Sequence, residues 1–382
     1  MIYLDNAATS FYKPPQVIDA VSEALSLYSA NPGRSGHDLS VKAAEQVYEA
    51  REELNSFFNG YASEYVSFTS NCTEALNIAI KGLLRKGDHI IISCFEHNSV
   101  VRPLYKLKQK GYIDYSAFEY SVDEDALVCS FKRQFRKNTR LCIVTAVSNV
   151  FGNIMPLKRL SDIAHENGAY FLVDGAQGAG VIDINMKKQG IDCLCVPGHK
   201  GLLGPMGTGA LIHNNLPFET LFEGGTGTQS LKLSQPHNYP ERLESGTLNV
   251  PGICGLCAGV KCLNTVGLSS VLQTEENLVK AICDGLSQIK NARIYRDLSC
   301  SEKYAPVLSF NVGDVHSEQV ALLLNDGGVA VRGGFHCAPS AHKFMGTDKT
   351  GTVRISPSFS NTEKEINILL NLVEKIAFYK YI

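Results

Sequence analysis

Two short polar motifs place a carboxylate and an amine directly after apolar runs of the chain. Asp-Gly-Ala-Gln occupies 174–177, and Gly-His-Lys occupies 198–200. The amine of Lys200 can form a Schiff base, and the carboxylate of Asp174 can keep a pyridine nitrogen protonated so that the ring accepts electrons. Alone, each residue is more often a turn aspartate or a surface lysine, but together the motifs favour catalytic chemistry at one edge of a sheet.

A strand-to-helix turn is predicted at 67–76, where Ser-Phe-Thr-Ser-Asn-Cys-Thr-Glu-Ala-Leu runs through small and polar residues into a helical pattern. Free N–H groups at the helix start, with the hydroxyls of Ser70 and Thr73, would suit a phosphate group. The simpler interpretation is a helix cap by Ser70 or Asn71. The two interpretations are compatible, so the segment supports a phosphate-bearing ligand without requiring one.

Cys337 lies in the segment 331–339, Val-Arg-Gly-Gly-Phe-His-Cys-Ala-Pro, whose glycines and proline predict an irregular exposed loop. A purely structural cysteine would be unusual there. Arg332 and His336 are nearby cations that would favour the thiolate, the nucleophilic form. Of the twelve cysteines, Cys337 has the most polar and loop-like surroundings, so we expect it to be a nucleophile.

Two cysteine pairs, Cys193 with Cys195 and Cys254 with Cys257, have spacings that resemble metal-ligand pairs. The first pair alternates with Leu194 in an apolar run, and the second lies among small residues suited to close helix packing. Free cysteine behaves as a small buried hydrophobe, so we interpret both pairs as core residues and expect no metal site. In a chain of this size the cysteines are expected to be reduced thiols.

Arg354 and His97 have two interpretations each. Arg354 lies on a predicted strand within 351–356, where its guanidinium suits a carboxylate but equally a surface ion pair. His97 follows the apolar run 89–93 in a polar turn, where it is either an ordinary turn residue or a group that stacks on a ring.

Strand-like and helix-like patterns alternate through the first two thirds of the chain, which predicts an α/β fold with a mostly parallel sheet covered by helices. The predicted strands are 65–69, 89–93, 141–145, 170–173, 193–196 and 209–213, and the predicted helices are 14–30, 40–58, 73–85, 100–110, 157–167 and 252–266. Later strands are predicted near 307–311 and 329–332, with a final helix from Thr362. We assign 14–250 to a large domain, and 1–13 with 251–382 to a smaller α+β domain.

Composition excludes several classes of protein. Of the 382 residues, 44% are hydrophobic and 19% charged, and the net charge of −2 comes without long basic runs, which argues against nucleic-acid binding. The amino terminus lacks the pattern of a secretory signal, and the apolar run 141–147 is too short to cross a membrane. We therefore expect a cytoplasmic protein without membrane contact.

The motifs together resemble the cysteine desulfurase and selenocysteine lyase group of class V, fold type I, pyridoxal-phosphate-dependent enzymes. The resemblance rests on Tyr-Leu-Asp-Asn-Ala-Ala-Thr at 3–9, Asp-Gly-Ala-Gln at 174–177, Gly-His-Lys at 198–200, and Arg332 with Cys337. It spans nearly the whole chain and implies a sheet of the seven-stranded type. One departure is Pro197, because many relatives have a serine there whose hydroxyl binds the phosphate.

The resemblance also implies roles for individual residues. Lys200 would carry pyridoxal 5'-phosphate as a Schiff base, Asp174 would face the pyridine nitrogen, Gln177 the phenolate oxygen, and His97 would stack on the ring. The implied cofactor-binding set is completed by His199, Thr73, Cys72, Asn149 and Thr247. Thr247 would reach the phosphate of a second subunit, which implies a homodimer. Arg354, Asn149 and Arg332 would bind the substrate, and Lys200, Cys337 and His97 would be catalytic.

The implied reaction is the conversion of L-cysteine to L-alanine, with Lys200 moving the α-proton and Cys337 taking the sulfur as a persulfide. A sulfur-acceptor protein would then receive it, for iron–sulfur cluster assembly or for thiolation. Selenocysteine lyase acting on L-selenocysteine is an alternative, as is another class V enzyme such as a transaminase, in which Cys337 would be incidental. A non-enzymatic thiol carrier is the alternative from a different class.

Overall fold

The computed structural model describes residues 1–33 and 35–379. Its strands are β1 (Ile2–Tyr3), β2 (Val66–Thr69), β3 (His89–Ser93), β4 (Asp114–Phe118), β5 (Thr139–Thr145), β6 (Tyr170–Asp174), β7 (Cys193–Pro197), β8 (Gly209–His213), β9 (Ala292–Ile294), β10 (Leu308–Val312), β11 (Val329–Ala330) and β12 (Val353–Ile355). Its α-helices are α1 (Pro15–Leu27), α2 (Asp38–Phe57), α3 (Cys72–Leu83), α4 (Asn98–Gln109), α5 (Glu124–Lys132), α6 (Leu157–Glu166), α7 (Met186–Gln189), α8 (Val250–Val266), α9 (Leu268–Gln288), α10 (Ser317–Asp326), α11 (Pro339–Phe344) and α12 (Glu363–Tyr379).

The central sheet has seven strands in the order β2-β8-β7-β6-β5-β3-β4. The strands from β7 to β4 run parallel, whereas β8 is antiparallel to both β7 and β2. The predicted α/β class and mostly parallel seven-stranded sheet are therefore confirmed. Because the parallel strands point the same way, the segments that follow β3, β5, β6 and β7 all emerge at one edge of the sheet.

Both faces of this sheet are buried, which explains why its strands read as continuous apolar runs in the sequence. Neighbouring side chains on one strand belong to different cores: Ile91 of β3 packs in the core that contains α2, α5 and α6 residues, and Ile90 in the core that contains α3 and α4 residues. This alternation follows from the two-residue period of a strand.

A second, three-stranded sheet with the order β12-β10-β9 packs with α9, α10 and α12 around a third core. The chain's first strand joins this part of the molecule, because β1 pairs in parallel with β11 and Leu4 lies in the third core. The division of the chain near residue 250 stays a prediction. α8 packs on α1 and α2, so the change from the large core to the third core occurs within α9.

The cysteine pairs lie where core residues are expected. Cys193 and Cys195 are fully buried in β7, and Cys254 and Cys257 are buried in α8. None of the α-helices in the described ranges is by itself long and apolar enough to span a membrane; α8 and α9 pass such a test only as a pair, with an 81° bend between them.

Candidate active site

The predicted chemistry-bearing motifs meet at the carboxyl edge of the central sheet. His97 follows β3, Asn149 follows β5, Asp174 ends β6 and Lys200 follows β7. The charges of Lys200 and Arg354 both act on His97, and Asp174 acts on Lys200, so these side chains share one electrostatic environment. The structure thus brings sequence-predicted residues from four different strand ends together at one edge of the sheet.

Asp174 is a deeply buried carboxylate of this site, with only 1% of its surface exposed. Its Oδ1 accepts a hydrogen bond from the N–H of Ala176 at 2.9 Å and one from the thiol of Cys72 at 3.6 Å. Burial raises the pKa of Asp174, while the Ala176 N–H and the charge of Lys200 oppose that rise. A buried anion with so few donors fits a site that receives a cationic ring from a ligand.

The loop that carries Lys200 is held by the amino-terminal segment. The hydroxyl of Thr9 and the ammonium of Lys13 each donate to the carbonyl oxygen of His199 at 3.1 Å, and the hydroxyl of Ser10 lies 3.1 Å from the carbonyl oxygen of Lys200. These contacts fix the backbone beside the amine, although the two segments are about 190 residues apart in the chain. The Lys200 side chain is therefore positioned by its loop and not only by its neighbours in the pocket.

The amine of Lys200 is chemically adapted to act as a nucleophile. Burial, and then the charge of Arg354, lowers its pKa to about 8, with Asp174 acting in the opposite direction. A sizeable fraction of the amine is therefore uncharged near neutral pH, the form that attacks carbonyl groups.

His97 is the N-cap residue of α4, and its Nδ1 accepts a hydrogen bond from the N–H of Ser99 at 3.1 Å. Nε2 therefore carries the proton of the neutral ring. Burial lowers the pKa of His97 to about 4, and Lys200 and Arg332 add to the effect. The neutral imidazole is suited to stacking on an aromatic ring, as the sequence resemblance implies.

Ser99 joins the starts of two helices. Its hydroxyl lies 2.9 Å from Nδ1 of His97 and 2.8 Å from Oγ1 of Thr73, the second residue of α3. At the α3 start the cap is Asn71, whose side chain accepts from the N–H of Glu74 at 2.9 Å. The hydroxyl of Thr73 is exposed beside this cap, so the position suits a phosphate oxygen.

Two hydrogen bonds to its backbone carbonyl oxygens hold the Cys337 loop in place and leave the thiol accessible. Cys337 is exposed, and its carbonyl oxygen accepts from the N–H of Asn98 at 2.8 Å, directly beside His97. The side chain of Asn149 donates to the carbonyl oxygen of His336 at 2.7 Å. His336 and Cys337 have φ values of 48° and 57°, a left-handed conformation that side chains seldom adopt and that these two anchors hold in place.

The prediction that His336 is a cation beside the thiol was wrong. His336 is 3% exposed, its Nε2 lies 3.0 Å from the carbonyl oxygen of Thr352, and burial lowers its pKa to about 2. The ring is neutral and anchors the loop. Sequence reasoning failed because the burial of this ring, between the backbone at Thr352 and the stacked ring of His342, has no signature in the residues beside His336.

Arg354 is fully buried and already has protein partners. Its Nη2 lies 2.6 Å from Oδ1 of Asp5, and its Nη1 donates to the carbonyl oxygen of Asn149 at 2.9 Å, while Nε has no hydrogen-bond partner among the described residues. The backbones of Arg354 and Arg332 pair with one another. A buried donor without a partner in the described part of the chain, next to Asn149 and Asp5, fits the predicted carboxylate site.

The remaining predicted residues divide into two groups. Gln177 is buried and donates to the carbonyl oxygen of Ala7 at 2.8 Å, and Nδ1 of His199 lies 3.0 Å from Oγ1 of Thr9, so both join the pocket through the amino-terminal segment. Thr247 lies elsewhere: it is exposed, and its hydroxyl is 3.4 Å from the side chain of Asn31.

Three residues of the site were missed from the sequence. Asp5 pairs with Arg354, Ser99 links two helix starts, and Glu96 ties β3 to β5 by accepting from Ser93 and from the N–H of Thr145. The only sequence feature that pointed to them was their position, because Asp5 lies in the motif at 3–9 and Glu96 and Ser99 lie within two residues of His97.

Comparison with known proteins gives a consistent result. A family model described as aminotransferase class-V matches residues 2–369. The chain is 35% identical to a probable cysteine desulfurase of Methanothermobacter thermautotrophicus, with 98% of this chain and 94% of that protein covered. The apo structure of a cysteine desulfurase from Thermococcus onnurineus NA1 superposes with a TM-score of 0.91 at 34% identity, covering 98% of this chain and 94% of that one. The S-sulfonic acid form of cysteine desulfurase CsdA from Escherichia coli gives a TM-score of 0.87 at 27% identity, again with 98% and 94% covered.

Proposed function

The chain belongs to the aminotransferase class-V family of pyridoxal-phosphate-dependent enzymes, and from this premise we propose that it is a cysteine desulfurase. It would convert L-cysteine to L-alanine and collect the sulfur as a persulfide on Cys337. The observation that carries the proposal is the placement of an accessible thiol on a rigid loop: the Cys337 carbonyl is bound to the N–H of Asn98, one residue from His97, at the edge where Lys200 also lies. The named relatives support the same activity.

The residues present fit pyridoxal 5'-phosphate. Lys200 offers an amine of lowered pKa, Asp174 a buried carboxylate for the ring nitrogen, and His97 a neutral ring for stacking. Thr73 and the start of α3 offer donors for the phosphate, which compensates for the absence of a hydroxyl at Pro197. When bound, the cofactor supplies an electron sink that stabilises negative charge on the substrate's α-carbon.

The protein's own groups do the remaining work. Lys200 would hold the cofactor through Nζ, release it to the substrate amine, and then move the α-proton with the same nitrogen. Arg354 would bind the substrate carboxylate through Nε, which has no partner among the described residues, while Nη1 and Nη2 hold the guanidinium on Asn149 and Asp5. These contacts would orient the substrate's side chain toward the Cys337 loop.

Sulfur transfer would occur at Cys337. A bond forms between Cys337 Sγ and the substrate sulfur as the bond between that sulfur and Cβ breaks, and Cβ gains a proton as alanine forms. A thiolate of a sulfur-acceptor protein would then attack the outer sulfur of the persulfide, and the S–S bond to Cys337 would break to regenerate the Cys337 thiolate. The exposed loop makes this sulfur accessible. The twelve free thiols suit a reducing compartment, which supports the predicted cytoplasmic location.

The decisive experiment removes this thiol. Cys337→Ala is expected to bind the cofactor normally but to lose alanine production from L-cysteine by a factor of at least about 10², because the transfer needs a positioned thiolate. Mass spectrometry of the wild type after L-cysteine should find one added sulfur on the peptide that contains Cys337. Cys129→Ala, which removes the other exposed cysteine, is the matched control and should keep full activity. Wild-type alanine production by Cys337→Ala would refute the proposal.

The enzyme would be a homodimer with shared active sites. Thr247 is exposed, and its hydroxyl acts as the acceptor of a hydrogen bond from the side chain of Asn31, so its O–H can still donate to a partner's phosphate. Light scattering at micromolar concentration should give twice the mass of 41.7 kDa. Thr247→Ala should weaken the cofactor's Kd roughly tenfold, the effect of one hydrogen bond to a charged group. A monomer with a full complement of cofactor would contradict the shared site.

A further inference from the structure

Cys72 is a buried thiol at the first position of α3, with 7% of its surface exposed. Its Sγ lies 3.6 Å from Oδ1 of Asp174, within hydrogen-bond range for sulfur. Burial, with the charge of Asp174, raises the pKa of Cys72 well above its usual value, so the thiol keeps its proton and donates. The contact is therefore an S–H donor facing a buried carboxylate.

The two hydrogen bonds to Asp174 fall on the same oxygen. Oδ1 accepts from Cys72 and from the N–H of Ala176, whereas within 1–33 and 35–379 no hydrogen bond reaches Oδ2. Two donors on one oxygen prevent the carboxylate from rotating and leave the other oxygen with its full acceptor capacity. Oδ2 is therefore the oxygen available to a ring nitrogen.

We propose that Cys72 is a positioning residue that locks the Asp174 carboxylate through Oδ1 and so directs Oδ2 to the pyridine nitrogen of the cofactor. The inference rests on the proposed function and deepens it. A thiol is a weak donor, so it orients the carboxylate while withdrawing little of its charge. A hydroxyl in the same place would withdraw more, and the ring proton would be held less strongly.

The competing explanation is that Cys72 only fills space. It packs in the core that also contains Cys193 and Cys195. A packing role would make the site sensitive to side-chain volume, whereas a positioning role makes it sensitive to donor strength. Serine and alanine separate the two explanations, because both are smaller than cysteine but only serine donates.

The test uses the holoenzyme loaded with pyridoxal phosphate that carries ¹⁵N in the ring, and follows the resonance of the ring N–H proton by NMR at fixed pH. A stronger hydrogen bond to Oδ2 moves this resonance downfield. Relative to wild type, Cys72→Ala should move it upfield, because the carboxylate loses a donor that fixes its orientation, whereas Cys72→Ser keeps a donor and should move it upfield by a smaller amount. The alanine variant should also raise the Kd for pyridoxal phosphate roughly two- to tenfold, the factor of one neutral hydrogen bond.

Cys142→Ser is the matched control, since it places the same hydroxyl at a fully buried cysteine of β5 and should leave the ring resonance in place. If the two Cys72 variants move the resonance by the same amount, or not at all, the positioning role is wrong and Cys72 is a packing residue. A wild-type protein that binds no pyridoxal phosphate would instead overturn the proposed function, and the role of Cys72 with it.

Discussion

Lys200 and Asp174 are both driven toward their uncharged forms by the same enclosure. Burial raises the pKa of the carboxyl and lowers that of the amine to about 8, and each partly offsets the other. Arg354 adds a positive charge that favours the neutral amine further. The site therefore contains a reactive amine, Lys200, beside a buried carboxylate, Asp174, whose charged form a cationic ring would stabilise.

Replacing the amine tests this arrangement. Lys200→Ala should abolish the visible absorbance of the bound cofactor, because no amine remains to form the covalent link. Activity on L-cysteine should fall by at least about 10³, since proton movement and covalent attachment are lost together. Lys187→Ala, at an exposed lysine, is the control and should retain the absorbance. A visible band that survives dialysis of the Lys200 variant would assign the link to another lysine.

The functional residues at strand ends and in the Cys337 loop could be predicted from the sequence, because the residues directly beside them have patterns typical of a strand end or a loop. Asp174 and Lys200 each follow an apolar run, and Cys337 lies among glycines and a proline. The bond between Asp5 and Arg354 joins positions 349 residues apart, so no local pattern could reveal it. The neutral state of His336 likewise depends on an enclosure that only the fold creates.

Between elements, the site depends on a backbone contact between two turns. Gly180, in the segment after β6, has φ of +75°, and a Cβ there would lie 2.3 Å from the carbonyl oxygen of Gly201, next to Lys200. This close approach seats the Lys200 loop against the turn that follows Asp174. Any side chain at Gly180 would push the two turns apart.

Gly180→Ala should therefore destabilise the protein and weaken cofactor binding. The positive φ costs about 1–2 kcal/mol for a residue with a Cβ, and the clash adds about 1–3 kcal/mol. Gly168→Ala is the matched control: its φ is +70°, but no atom lies within 4 Å of the added Cβ, so only the first cost applies. Urea unfolding of both variants measures the difference, and equal losses would show that the contact between the turns is unimportant.

Most strands of the central sheet and most of the longer helices matched their sequence predictions, but β4 and α5 were missed, as were the shorter elements β1, β9, α7, α10 and α11. β4 (Asp114–Phe118) is an edge strand with only Phe118 buried, so it lacks the apolar run that marks the central strands. α5 is nine residues long and follows polar residues. By contrast, β3 and β8 were predicted with their observed bounds, because both strands are buried along their whole length.

The whole molecule contains buried titratable groups of two kinds. Burial lowers the pKa of several histidines to about 4 or below: His89, His97, His199, His213, His336 and His342. Burial raises the pKa of Glu96 and Glu275 to about 8. The unfolded chain therefore binds more protons on the histidines between about pH 4 and 6.5, and fewer on the glutamates between about pH 4.5 and 8.

The free energy of unfolding should consequently peak near pH 6.5. Below this pH the free energy of unfolding falls, because the histidines take up protons in the unfolded chain but not in the folded one. Between about pH 6.5 and 8 it falls again, because the folded glutamates still hold protons that the unfolded ones have lost. Glu275→Gln should reduce the alkaline slope by up to ~1.4 kcal/mol per pH unit, the contribution of one proton. The control variant Glu276→Gln, at the partly exposed neighbouring residue, should leave the alkaline slope unchanged. Urea titrations of the apoprotein at several pH values measure both, and a stability that rises steadily to pH 8 would contradict the prediction.

The pairing of β1 with β11 has a consequence for biosynthesis. Ile2 pairs with Val329, and Asp5 with Arg354, so these pairs can form only after partners more than 300 residues further along the chain have been translated. At ~5–20 residues per second this delay is on the order of tens of seconds. The central sheet, whose last strand ends at His213, can assemble meanwhile. A nascent chain would therefore hold a nearly complete sheet without the Asp5–Arg354 pair, and the enzyme should become active only after translation is nearly finished.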